Sequence, residues 1–200
     1  MHKGELIFDL VYNEIDINYK EDIAMTFDYT LKITDVLKNM GGKGGFLTVK
    51  DKNGRVNTMT IGWCNIGYEW ARPIFTVLVR QSRYTHELLE NAEDFTVSIP
   101  LDINMNKALG FCGSKSGRDF DKFKECNLNL LESKSVKSPV IDNCHMYYEC
   151  SIVYKHPIDL KLLDEKIRNE WYQEDDNKWY EPGDCHTIYY GEILNCYSNE

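Results

Sequence analysis

The sequence predicts a mainly β fold with helical insertions (α+β), an antiparallel barrel of about six strands with helices between some of them. Three observations carry this. Short strand-like runs recur along the chain, two of them joined by Asp51-Lys52-Asn53-Gly54, and Asn-Gly between such runs is a strong hairpin signal. The helical stretches are short and irregularly spaced, so the chain is no regular βαβ repeat. Its 200 residues hold no repeat and no Pro/Gly/Ser linker, which suits one domain with embellishments.

In chain order, residues 1–27 alternate acidic and apolar residues weakly and are expected to form an N-terminal arm or edge strand. Tyr29 to Met40 reads as a helix with Leu31, Ile33, Val36, Leu37 and Met40 apolar, Asp28 as its N-cap and Gly41-Gly42 as its stop. Phe46–Lys50 and Arg55–Trp63 read as paired strands, and Ile74–Arg80 and Phe95–Ile99 as two more. Tyr84, Leu88, Leu89 and Ala92 suggest a short helix, and Asn104–Phe111 another after Asp102. His145–Tyr154 places Met146, Tyr148, Cys150, Ile152 and Tyr154 on one face of a strand, and Thr187–Leu194 is a final β run. Asp164–Tyr172 is a further helix candidate inside an acidic insertion at about 159–184.

The net charge of −9 argues against a nucleic-acid surface, which needs clustered cations. Its distribution is more informative: residues 46–158 carry a net +1, while 1–45 carry −3 and 159–184 carry −5. An anion site therefore belongs in the middle of the chain. The longest strongly apolar run, Ile74 to Val79, is far short of the ~20 residues of a membrane helix. The first residues form no apolar signal core, and seven cysteines without a CxxC pair make no disulfide framework, so a cytoplasmic setting is expected. Most of those cysteines are expected to be buried small hydrophobes, Cys64 among the inert ones.

Several segments could carry chemistry. Asn57-Thr58-Met59-Thr60-Ile61-Gly62-Trp63 is an uncharged strand with hydrogen-bonding side chains, suited either to a polar ring system or simply to a sheet. Arg80-Gln81-Ser82-Arg83-Tyr84-Thr85-His86 joins a strand to a helix and offers Thr85 or Ser82 as a cap and Arg83 as a fixed cation for an anion, or an ordinary helix start with solvated arginines. Cys112 to Phe123 concentrates Gly, Ser and cations without Walker spacing, as a phosphate-contacting loop or a surface turn. His186 opens the last strand after Pro182-Gly183, where functional groups and structural histidines both occur. Trp63, Tyr68, Trp70 and Phe75 read as core or dimer interface before stacking platform. Histidine spacing supports no metal site, and neither a G-x-S-x-G elbow nor a strand-linked GxGxxG occurs.

Four segments in order resemble the flavin reductase-like family, whose fold is the six-stranded antiparallel Greek-key FMN-binding split barrel. They are Gly45-Phe46-Leu47-Thr48 with Asn57 to Trp63; Pro73 to Val79 with Ser82-Arg83-Tyr84-Thr85; Ser116-Gly117-Arg118-Asp119 with Asp121-Lys122-Phe123; and His186-Thr187-Ile188-Tyr189-Tyr190-Gly191-Glu192-Ile193. The resemblance covers Asp28 to Tyr197. It implies a homodimer with FMN near the seam. Asn57, Thr58, Met59, Thr60 and Trp63 would lie along the ring and ribityl chain. Ser82, Arg83 and Thr85 would hold the phosphate, with Ser116, Arg118 and Lys122 close by and His186 near the reactive edge. It further implies an oxidoreductase in which NADH or NADPH reduces FMN, with free flavin, ferric iron or another acceptor downstream. A flavoredoxin-like electron carrier serving a redox protein partner is the alternative, and an FMN- or redox-sensing module whose cysteines matter is a third reading. Cys64, Cys185 and the long acidic segment 164–181 depart from the family pattern.

Overall fold

The computed structural model describes residues 27–172 and 184–199. Except for Phe27, the expected arm lies outside the described residues, as do residues 173–183 of the acidic insertion. Among the described residues, nine strands and five helices follow in order: α1 Ile33–Gly42, β1 Gly45–Lys50, β2 Val56–Ile61, β3 Cys64–Glu69, β4 Arg72–Arg80, α2 Tyr84–Leu89, β5 Asp94–Ile99, α3 Asn106–Ser114, α4 Lys122–Glu125, β6 Leu130–Leu131, β7 Val140–Ile141, β8 Met146–Pro157, α5 Glu165–Trp171 and β9 His186–Ser198. Among the described residues no helix is long and apolar enough to cross a membrane.

Seven strands form one antiparallel sheet in the order β2-β1-β5-β8-β9-β4-β3, and β6 pairs with β7 in a small second ladder. The expected barrel of about six strands is therefore corrected to a seven-stranded sheet whose edges, β2 and β3, do not pair with each other. The added strand is β3. Only Cys64 and Ile66 are partly buried along it, so its sequence shows little of the alternation that marks a half-buried strand. Tyr68 and Trp70 are each 58% exposed while Phe75 is fully buried, so the proposed aromatic cluster is not one core unit.

The β1–β2 hairpin forms as the Asn-Gly signal requires. Asp51 Oδ1 accepts the N–H groups of Asn53 and Arg55, and Gly54 takes the left-handed φ of +82° that the turn needs. Helix α1 starts later than expected. The Asp28 carboxylate binds Thr30 two residues on, so it holds a preceding turn, and the helix begins at Ile33. Gly41 and Gly42 remain inside its last turn. The stop falls at Gly44, where φ is +85° and a Cβ would meet the Ile61 carbonyl oxygen.

Strand β1 and the first half of β8, from Met146 to Cys150, are buried on both faces. Leu47, Val49, Met146, Tyr148 and Cys150 join the main core with α1 and α2, while Phe46 and Tyr147 meet Leu109 and Cys112 of α3 in a second cluster. The chain beyond Ile152 leaves the core after two register shifts, which expose Tyr154 against expectation. Stacking α3 against β2 and placing the β4–α2 turn beside it leaves a cleft between them.

Candidate functional site

A cleft of about 300 Å³ opens between β2, the turn after β4, and the loop between α3 and α4. It gathers Asn57, Met59, Ser82, Arg83, Thr85, Ser116, Arg118 and Lys122 from three separate segments between residues 57 and 122, together with Tyr84, Cys112, Gly113, Lys115, Gly117 and Asp119. Four cations face one cleft in a chain of net charge −9.

Each side chain is held for a local reason. Asn57 is buried, and its amide donates to Thr85 Oγ1 at 2.9 Å, tying β2 to α2. Gly117 packs so closely on Asn57 and Tyr84 that a side chain there would overlap the Asn57 carboxamide, so the loop backbone itself forms the wall. Arg118 donates to the Ser82 carbonyl at 3.1 Å, pairs with Glu87 and lies over the Tyr84 ring at 5.2 Å. Glu87 also binds Arg55, which is anchored on Asp51.

Arg83 differs from its neighbours. It occupies the N-cap position of α2 and is half-buried, and among the described residues its guanidinium holds no hydrogen bond or ion pair. Burial lowers its pKa, the Asp184 charge opposes that, and Arg80 adds to it. An anion in the cleft would relieve this cation. The expected caps do other work: Ser82 binds Asp184, its N–H donating to Oδ1 at 3.0 Å and its hydroxyl to Oδ2 at 2.7 Å, and Thr85 serves Asn57.

Lys122 is buried, and its ammonium donates to the carbonyls of Thr58 and Cys112, each at 2.9 Å. It clamps β2 to the end of α3 under the cleft; burial pushes its pKa down to about 8. The side chains of Thr58 and Thr60 leave the cleft. Thr58 Oγ1 donates to the Leu47 carbonyl, and Thr60 Oγ1 to the Leu109 carbonyl of α3. Strand alternation, visible in the sequence, separates them from Asn57 and Met59.

Trp63 and His186 do not line this cleft but meet each other, with ring centroids 5.1 Å apart. Trp171, at the end of α5, sits edge-on to Trp63 at 4.7 Å, and Tyr172 Oη lies 2.7 Å from His186 Nδ1. Burial, reinforced by Arg80, pushes the His186 pKa down to about 4, so the ring is neutral at pH 7. Arg80 is bound to the carbonyls of Asp184 and Trp171, which fastens the end of α5 over this group. Asp184, Tyr84 and Gly117 were not assigned roles from the sequence. Tyr84 lies inside the Ser82–Thr85 segment and could have been included, whereas Asp184 reaches Ser82 across 102 residues with no local signal.

Three interleaved segments, a cationic cleft and a seven-stranded antiparallel sheet define the class. The flavin reductase-like domain matches residues 39–200, and the chain belongs to that family. An uncharacterized protein of Archaeoglobus fulgidus is 31% identical over 139 residues, covering 70% of this chain and 63% of that protein. One of Pyrococcus abyssi is 25% identical over 107 residues, 54% and 60% of the two chains. The chain thus spans about three fifths of the length of these curated relatives. Among solved structures, flavoredoxin of Desulfovibrio vulgaris superposes with a TM-score of 0.59 at 22% identity, covering 78% of this chain and 69% of that one. An FMN-binding protein from Thermus thermophilus gives 0.58 at 20% identity, covering 78% and 70%. At these identities the likeness is one of fold.

Proposed function

We propose that the chain binds FMN in this cleft and acts as an NAD(P)H-dependent reductase of flavin or of another acceptor such as ferric iron. The observation that carries the reading is the partly buried Arg83, without a side-chain partner among the described residues, in a family member's cationic cleft, which fits a phosphate ester. The donor set suits the rest of the cofactor. Arg83, Ser116 and Arg118 would bind the phosphate with Thr85 beside them, Asn57 would hydrogen-bond the polar chain or ring edge, and Met59 would meet the apolar part. Ser82 is already held by Asp184, so in this reading it shapes the turn and leaves most of the charge to the arginines. Lys122 and the carbonyl of Thr58 that it binds hold the β2 backbone in place.

Bound FMN would supply a ring that accepts hydride from NADH or NADPH and passes electrons on. The chain's own residues bind and orient it; neutral His186, next to Trp63, would position the donor or handle a proton at the reactive edge. The family resemblance also supports a homodimer, and the exposed Tyr68, Trp70 and Tyr154 supply apolar surface for it.

The test is the visible spectrum of the purified protein with added FMN, followed by anaerobic NADH or NADPH. Flavin bands that bleach with the nucleotide are expected. No flavin binding at all overturns the reading, and bleaching only by a reduced protein donor points to an electron carrier.

A further inference from the structure

Two cysteines bracket the loop that walls the cleft. Cys112 stands in the last turn of α3 and lines the cleft floor, and Cys126 follows the last residue of α4. Cys126 packs, with Phe123, against the apolar cluster that holds Cys112 and Leu109, and each thiol lies in the electrostatic neighbourhood of the other. One residue holds both. The Lys122 ammonium donates to the Cys112 carbonyl at 2.9 Å, and the Lys122 carbonyl accepts the Cys126 N–H at 3.1 Å. Between the cysteines run Ser116, Gly117, Arg118 and Lys122.

We infer that Cys112 and Cys126 form a reversible disulfide under peroxide, and that this bond restrains the cleft loop 113–121. Cys112 is 1% exposed and Cys126 is half-buried, so Cys126 meets the oxidant first. Its thiol reduces hydrogen peroxide, giving a sulfenic acid and one water. The Cys112 thiol then attacks that sulfur, the S–O bond breaks, the disulfide forms, and the released hydroxide takes the thiol proton as a second water. Two thiols have lost two electrons and one peroxide has gained them. A dithiol reductant reverses the step.

The surroundings set the pace. Burial raises both thiol pKa values, that of Cys112 to about 12; Glu125 raises Cys126 further, and Lys122 opposes the rise at both. The pair is therefore protonated at pH 7 and reacts slowly there. Cys150 and Cys196 lie sealed in the main core and stay reduced.

Bond formation does not depend on flavin binding; only its effect on cofactor exchange rests on the reading above. The experiment treats the intact protein with hydrogen peroxide, alkylates free thiols, digests with trypsin and maps cross-links by mass. The expected product joins the peptide 108–115 to the peptide 125–134, two hydrogens lighter than their sum, and disappears in Cys126→Ala and after dithiothreitol. Amide exchange across 113–121 should slow at least threefold in the oxidised protein, and FMN release should slow with it. Both thiols alkylated in full, over-oxidation of Cys126 without a cross-link, or Cys112 joined elsewhere would overturn the disulfide. A cross-link with unchanged amide exchange would overturn the restraint. If exchange slows but FMN never binds, the flavin reading falls and the disulfide stands.

Discussion

Arg83 carries the sharpest expectation at the scale of single residues. A half-buried guanidinium with no partner among the described residues is costly to keep, and an anion would compensate it. Arg83→Ala is expected to weaken FMN binding about 10- to 100-fold, as loss of a charge-assisted hydrogen bond of ~1.5–3 kcal/mol would do. Quenching of flavin fluorescence on titration measures it, and equal binding would mean the phosphate lies elsewhere. His186 makes a different demand. With its pKa near 4 it acts without charge at pH 7, held by Tyr172 and packed on Trp63. His186→Ala should slow single-turnover reduction of bound FMN by NAD(P)H while FMN affinity stays nearly intact; an unchanged rate would remove the role assigned to it.

Among the secondary-structure elements, β9 depends most on one small residue. A Cβ at Gly191 would lie 2.5 Å from Phe95 Cζ and 2.7 Å from Cys150 Cβ, in the middle of the main core. Gly191→Ala is expected to cost ~1–3 kcal/mol by overpacking, read as a lower urea midpoint with an unchanged slope. The elements also differ in how far their sequences announced them. The β1–β2 hairpin was legible because Asp51, Asn53 and Gly54 act within five residues of one another. Helix α5 was legible through Asp164, whose side chain accepts from Lys166 and Ile167. Strand β3 was not, because an edge strand with four exposed residues out of six has no buried face to impose a period. The start of α1 was misplaced because Asp28 spends its side chain on a turn that leads into the helix.

For the molecule as a whole, acid is the condition to which the fold should respond. Folding depresses the pKa of His186 to about 4, and burial lowers that of His86 as well. The unfolded chain therefore binds more protons below about pH 6.5, and stability falls as pH drops from there toward 4. His186 alone accounts for ~3 kcal/mol over that span. Urea unfolding at pH 7 and pH 4.8 should show the loss, and His186→Gln should flatten it. Sedimentation should give twice the 23.4 kDa mass of one chain if the proposed homodimer forms; a monomer at micromolar concentration would overturn that proposal.

By itself the sequence determined that the fold is antiparallel and mostly β, that the central block carries the cations, and which segments resemble a flavin reductase-like domain. These are local or compositional properties: turn chemistry, side-chain period and charge along the chain. The tertiary structure decided which candidates share a cleft. It left Arg83 without a partner among the described residues, set Lys122 under β2 as a clamp, turned Thr58 and Thr60 toward the sheet and α3, and gave Ser82 to Asp184. The physical reason is that a buried polar group must find a partner wherever the packed chain brings one. Those partners lie from 10 to 102 residues away, beyond the reach of a local pattern.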